Sequence, residues 1–332
     1  MMNVRKFAVT TLTVVSTLAV SCSLAAAADL EKISVRLDWL AGSNHAALFA
    51  AKDKGYYKDA GLDVEILNGQ GSLSTIQLVA AGNNTIGLAS LSAVALAESK
   101  DIPVIGIAGI MQRGPESVIA LASSGITKPK DLEGKKFGYV PSDQAQKLFD
   151  AFADVNGINK STIKRVATSY ATTFTSLING DVDFVAAWAV PDGTKINEEK
   201  PIAPPMVFAD FGINTLGTGI FVSKDTADKK GDILKRFIAA TIKGEAAVEA
   251  NPEVGVKLVH AANPESSEKV LAIEMKALPH FLHTDHTAGK VYGWVAPEDV
   301  AETIKVQQKF FDMKPGVNAD DVYTGKFFPA SN

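Results

Sequence analysis

The chain has 332 residues, 46% of them hydrophobic and 21% charged, enough to bury a sizeable core and to divide into two compact units. Its 33 basic and 37 acidic residues leave a formal net charge of −4 with no basic run, which argues against nucleic acid or an anionic membrane surface as partner. One cysteine, Cys22, excludes an intrachain disulfide, so stability must come from packing.

The first 28 residues read as a leader. Arg5 and Lys6 precede an apolar stretch from Phe7 to Val20, and Ala26-Ala27-Ala28 supplies small residues for cleavage before Asp29. That is the pattern of a secretory signal peptide; the apolar run is too short and too rich in threonine to span a bilayer. Cleavage after Ala28 to give a soluble periplasmic protein is expected. The alternative is lipid anchoring at Cys22, within Leu18-Ala19-Val20-Ser21-Cys22. Because the leader holds two basic and no acidic residues, removing it takes the formal charge from −4 to −6.

Beyond the leader, Ile33, Val35 and Leu37 alternate with polar residues at the period of a strand, and Ser43 or Asn44 can cap a helix that Gly55 stops. Leu62, Val64 and Ile66 alternate again. Ser72 or Ser74 opens a helix to Ala81, Thr85 to Ala89 is a strand, Leu91 to Ser99 a helix, and 103–110 a buried strand. The pattern then restarts, with strands at 117–122, 136–140, 165–169, 182–188 and 206–212 and helices at 144–156 and 172–179. After residues 219–222 the chain reads as helical almost to its end, including 232–250, 266–277 and 297–311.

Alternating strands and helices predict mostly parallel sheets flanked by helices, and the restart predicts two such units followed by a helical tail. Lobe I is expected over 29–112 and 223–332 and lobe II over 113–222, with hinge crossings near 111–115 and 217–223. In open α/β sheets, ligands bind outside the carboxyl ends of strands. That rule selects Asp38-Trp39, Ser90, Gln112-Arg113, Pro141-Ser142-Asp143 and Trp188.

The Leu37-Asp38-Trp39 start, Asn44-His45, AAKDKGYYKDAGLDVEI, TIGLAS and DLEGKKFGY together resemble periplasmic solute-binding proteins of ABC importers. Within them the chain is similar to the nitrate/sulfonate/taurine group, nearest the branch that binds thiamine pyrimidine precursors. The likeness covers nearly the whole chain after the leader and returns at VYTGKFFP (322–329). It implies a type II two-lobe fold that closes on a small, planar heteroaromatic and delivers it as a monomer to a membrane permease and its ATPase, with no cofactor. The same role for a sulfonate, nitrate or aromatic carboxylate is the alternative. The resemblance carries ligand contact onto Trp39, His45, Ser90 and Trp188. Relatives that grip a pyrimidine often carry a glutamate just after the second aromatic; here Asp192, four residues beyond Trp188, stands in that region and is the further candidate.

Each of these residues also has a plainer reading. Trp39 and Trp188 either sandwich a flat ligand, as apolar cleft walls do, or fill core. His45 either bonds ligand or bonds backbone at a helix start. Gly69-Gln70-Gly71-Ser72 lacks the ending of a phosphate loop and reads as a tight turn. Arg113 pairs with Glu116 or clamps an anion, the former being preferred. His280, His283 and His286, with Asp285, are the only metal-like grouping, but Pro279 and the turn at 284–289 do not support a tetrahedral site, so no metal is expected.

The chain has no Gly-x-Ser-x-Gly elbow, no His-Glu-x-x-His and no cysteine after the leader. A fungal pyrimidine-precursor synthase shares this family's fold. Its cofactor-binding lysine and reactive histidine fall on Ala89 and Ala93, and its cysteine-rich stretch is absent near LGTGIFVS. Alanine forms no Schiff base and donates no imidazole, so a binding protein rather than an enzyme is expected.

Overall fold

The computed structural model describes residues 30–141, 144–169 and 171–329; the leader with Cys22, the cleavage site and the Ser142-Asp143 pair lie outside the described residues. In chain order the first part contains β1 Glu31–Arg36, α1 Ala46–Asp53, α2 Tyr56–Asp59, β2 Leu62–Leu67, α3 Ser72–Ala80, β3 Ile86–Ser90, α4 Leu91–Glu98 and β4 Val104–Gly109. The second contains β5 Glu116–Ala120, β6 Lys136–Tyr139, α5 Gln144–Val155, β7 Lys164–Ala167, α6 Thr173–Asn179, β8 Phe184–Trp188, α7 Asp192–Glu199 and β9 Met206–Val207. The third contains β10 Thr218–Ser223, α8 Lys224–Lys229, α9 Gly231–Ala250, α10 Pro252–Ala262, α11 Glu268–Ala277, α12 Pro279–Leu282, α13 Pro297–Phe310 and α14 Ala319–Val322.

The strands form two five-stranded sheets, β2-β1-β3-β10-β4 and β7-β6-β8-β5-β9. In the first, β2, β1 and β3 are parallel and β10 runs antiparallel to both β3 and β4. In the second, β7, β6 and β8 are parallel and β5 runs antiparallel to β8 and β9. Each sheet therefore carries one reversed central strand, and in each it is the strand reached directly from the other sheet. Since β10 belongs to the first sheet, the second crossing precedes Thr218 rather than following Val222. The two crossings lie side by side: Ile110 and Met111 N–H both donate to the Thr218 carbonyl at 2.9 and 2.8 Å, and Gly114 N–H to Asn214 at 3.2 Å.

Period-two alternation places Ile33 and Val35 on one face of β1, where they join Leu48, Phe237, Val256 and Leu271 from α1, α9, α10 and α11. The opposite face of this sheet is covered by α3 and α4 through Ile76, Val79, Leu91 and Val94, backed by Val300 and Ile304 of α13 and Val322 of α14. In the second sheet one core is aromatic, with Phe137 and Phe184 stacked at 5.0 Å and Phe149 4.4 Å from Phe137. Val306 and Phe311 extend that core, so the α13 region packs on both sheets. The tail is not helical throughout: Trp294 lies in a loop between α12 and α13, with Lys290 5.8 Å from its ring.

Candidate ligand-binding site

The reversed strands define the site end of each sheet. Thr218 at the start of β10 pairs with Ser90 at the end of β3, and Glu116 at the start of β5 pairs with Trp188 at the end of β8. The carboxyl ends of β1, β3 and β8 thus all lie at the crossings, the crevice position for a ligand in open α/β sheets.

Trp39 follows β1 in a loop whose backbone carbonyls are held by three hydrogen bonds. Gly69 N–H donates to the Trp39 carbonyl at 3.0 Å, Gly71 N–H to the Asp38 carbonyl at 2.7 Å, and Thr75 Oγ1 to the Leu37 carbonyl at 2.8 Å. A Cβ on Gly69 would stand 1.9 Å from the Leu37 carbonyl oxygen, so only glycine permits this approach. The indole is left 59% exposed beside Leu40, also exposed. The glycine segment is the expected turn, and two of its N–H groups are spent on holding Asp38 and Trp39.

Asp38 and His45 form a buried pair. Gly42 N–H donates to His45 Nδ1 at 3.0 Å, which places the ring proton on Nε2, 2.8 Å from Asp38 Oδ1. Thr218 Oγ1 donates to the other carboxylate oxygen at 3.0 Å. Burial works to raise the Asp38 carboxyl, but His45 and the Thr218 hydroxyl outweigh it and hold it below the ordinary carboxylate value. His45 is 2% exposed and both its ring nitrogens are engaged. Its expected hydrogen bond to ligand is therefore replaced by a structural one: it ties the turn before α1 to the end of β1. Asp38, next to a residue read as a wall, was the stronger signal.

Ser90 caps α4, its hydroxyl accepting from Ala93 N–H at 3.2 Å and lying 3.1 Å from Ser92 Oγ. Its own N–H donates to Ser72 Oγ at 3.1 Å, joining the starts of α3 and α4. Ser90 as a whole is partly exposed.

Trp188 is partly buried and packs on the apolar cluster that includes Leu37, Met111 and Val190. Asp192 opens α7, and its Oδ2 accepts the Trp188 N–H at 3.1 Å, closing the turn that carries the indole.

A carboxylate absent from the sequence reading lies here as well. Glu274 of α11 is 2% exposed, with the Ser43 hydroxyl and N–H facing it and Lys195 and Asp192 of α7 nearby. Burial raises its carboxyl, Ser43 and Lys195 lower it, and the balance stays upward. Its signal was legible: it falls on the stripe Val270, Leu271, Glu274, Met275, a glutamate at an apolar-face position.

Arg113 pairs with Asp210. His280 approaches Asp210 at 3.5 Å, His286 Nδ1 lies 2.7 Å from Asp299 Oδ1, and His283 Nδ1 is buried without a partner, so the three imidazoles do not converge. Among the described residues no group of three or more His, Cys, Asp or Glu is placed to hold a metal ion. Ala89 is fully buried in β3 and Ala93 lies in the first turn of α4, so neither position presents a reactive group.

Two sheets joined by paired crossings, each with one reversed strand, define a two-lobe binding-protein fold, and solved structures agree. The aliphatic sulphonate binding protein SsuA of Escherichia coli superposes with a TM-score of 0.70 at 15% identity, covering 85% of this chain and 87% of that one. The chain belongs to the NMT1/THI5-like family, whose profile matches residues 42–254. It is 24% identical over 316 residues to the formylaminopyrimidine-binding protein of Halalkalibacterium halodurans, covering 92% of this chain and 94% of that protein. It is also 23% identical over 308 residues to the 4-amino-5-hydroxymethyl-2-methylpyrimidine phosphate synthase of Legionella pneumophila, covering 90% and 92%.

Proposed function

We propose that the chain is the substrate-binding component of an ABC importer, exported to the periplasm, that captures a small planar heteroaromatic of the aminopyrimidine class and delivers it to a permease. The observation that carries this is Trp39: a large indole left 59% exposed on a rigid loop at the crossing end of β1, with Trp188 at the corresponding end of β8. A flat ring stacked on such a surface gains burial and offset stacking at little cost in ordering the protein. The full-length similarity to a protein named for binding formylaminopyrimidine supports the ligand class. Ser90 and Asp192 are the polar groups assigned to orient the ligand, with His45 and Asp38 supporting the Trp39 loop from behind.

One relative of similar coverage is named as a synthase, so an enzymatic role is the second reading. Ala89 and Ala93, where the synthase resemblance calls for a lysine and a histidine, favour binding without turnover. Thermal-shift titration with aminopyrimidines, alkanesulfonates, nitrate and aromatic acids, followed by recovery of the compound, tests both. Stabilisation by an aminopyrimidine recovered unchanged is expected, since a ligand of the folded state stabilises it by RT ln(1 + [L]/Kd). A shift with sulfonates or nitrate alone overturns the ligand class, and conversion of the compound overturns the binding role.

A further inference from the structure

Besides the two crossings and α13, which packs on both sheets, α11 and α12, residues 268–282, run as a strap from the first sheet's unit along the second. Lys269 Nζ of α11 lies 3.0 Å from Glu198 Oε1 of α7. Farther along α11, buried Glu274 is held near Lys195 of α7. At the α12 end, Asp210 takes both His280, at 3.5 Å, and Arg113 from the first crossing. The signs alternate along both partners. Lys269, Glu274 and the Arg113–His280 pair face Glu198, Lys195 and Asp210, so each position meets its opposite; Asp192, near Glu274, is the one like charge.

We propose that this register is a latch that holds the lobes together in the empty protein and so tunes ligand affinity. Individually, exposed pairs are weak, each changing an equilibrium roughly 1.4- to 5-fold. Three in register act jointly, and a slip of one position brings like charges together. A ligand that binds only the closed form has its apparent dissociation constant divided by the closed fraction, so a latch that raises that fraction tightens binding without touching the ligand. The proposal goes beyond the binding role and holds whichever compound the crevice takes.

The test measures the distance between lobes with no ligand present. After Cys22→Ser, cysteines placed at exposed Lys58 in α2 and Asn179 in α6 carry spin labels, and the protein is refolded from denaturant to strip bound compounds. In the otherwise native chain a dominant short distance is expected, moving toward a longer one in about 1 M salt. Lys269→Glu or Glu198→Lys alone lowers the short-to-long ratio by at least about 2- to 5-fold. The double reversal Lys269→Glu/Glu198→Lys restores it, and Glu198→Gln gives an intermediate ratio. Melting temperatures within a few degrees of the parent show that the variants are folded. Distances indifferent to salt and to both single reversals overturn the latch, and so does a double variant as open as the singles.

Discussion

Replacing each tryptophan of the crevice by alanine separates wall from core, because the structure gives the two indoles different packing. Complete truncation of a buried tryptophan costs about 3–5 kcal/mol of stability. Trp39 is 59% exposed, so less than half of that is at stake and Trp39→Ala is expected to lose about 1–2 kcal/mol. Trp188 packs on the cluster around Leu37 and Val190, and Trp188→Ala is expected to lose about 2–4 kcal/mol. At roughly 2–4 °C per kcal/mol for a chain somewhat shorter than this one, the two melting temperatures separate by several degrees. Affinity behaves differently: removing either wall costs about 1–3 kcal/mol of binding, and the ligand-induced change in tryptophan fluorescence is halved or lost. Trp294, in its loop against Lys290 and Gly325, is expected to be silent, so Trp294→Phe retains the signal. The assays are differential scanning fluorimetry and fluorescence titration with whichever aminopyrimidine stabilises the native chain. Undiminished affinity in both variants, once corrected for folded fraction, refutes the sandwich.

Asp38→Asn supplies one acceptor and a misplaced donor where two donors point, and is expected to cost about 2–4 kcal/mol by chemical denaturation. The depressed Asp38 carboxyl contributes stability above its unfolded value of 3.8 that is lost as pH falls through the lower folded value; the Asn variant should lack that acid-side loss. Glu245 of α9 has its carboxyl pushed up to about 7, by burial first and then by Glu249. The native chain should therefore lose stability as pH rises from 4.5 to about 7, and Glu245→Gln should be more stable by about 1–3 kcal/mol at pH 8, with no advantage at pH 4. Gly244→Ala places a Cβ 2.1 Å from the Ala47 carbonyl oxygen and must push α9 from α1, for an expected loss of about 1–3 kcal/mol read as a lowered melting temperature.

Most strands and helices were legible because their apolar spacing reports local geometry. Strand direction was not: β5 and β10 carry the same apolar run whichever way they pair, so the single reversed strand in each mostly parallel sheet is a property of long-range order. For the same reason the sequence points to a second crossing at 217–223 whereas it lies before Thr218: residues 218–222 are buried throughout and show no boundary. The α7 helix was missed because DGTKINEE is polar and follows Pro191, and Asp192 was read as a ligand group when its placement also makes it a turn-closing residue. His45 shows the limit most sharply. Which way its imidazole turns depends on partners at Gly42 and Asp38, and the Thr218 end of that network lies 180 residues from Asp38.

That network connects the wall to the hinge. Trp39 is carried by Asp38; Asp38 bonds Thr218, the first residue after the second crossing; the Thr218 carbonyl takes the N–H groups of Ile110 and Met111 at the first crossing. Trp39 is thereby linked to the part of the molecule where both crossings are joined, and this joint belongs with the first sheet. The crossings are tied to the same unit further along as well: Gln112 and Arg113 N–H donate to the Phe281 carbonyl, and the Leu216 and Gly217 carbonyls accept from Ser92 and Leu91 N–H. The first lobe thus has the construction of a braced platform, with His45 and Asp38 as its brace, and Trp188 stands at the end of β8 in the other sheet. A buried polar network of Asp38, His45, Thr75 and Thr218 thus stands behind Trp39, whereas the turn carrying Trp188 is closed by a local bond to Asp192.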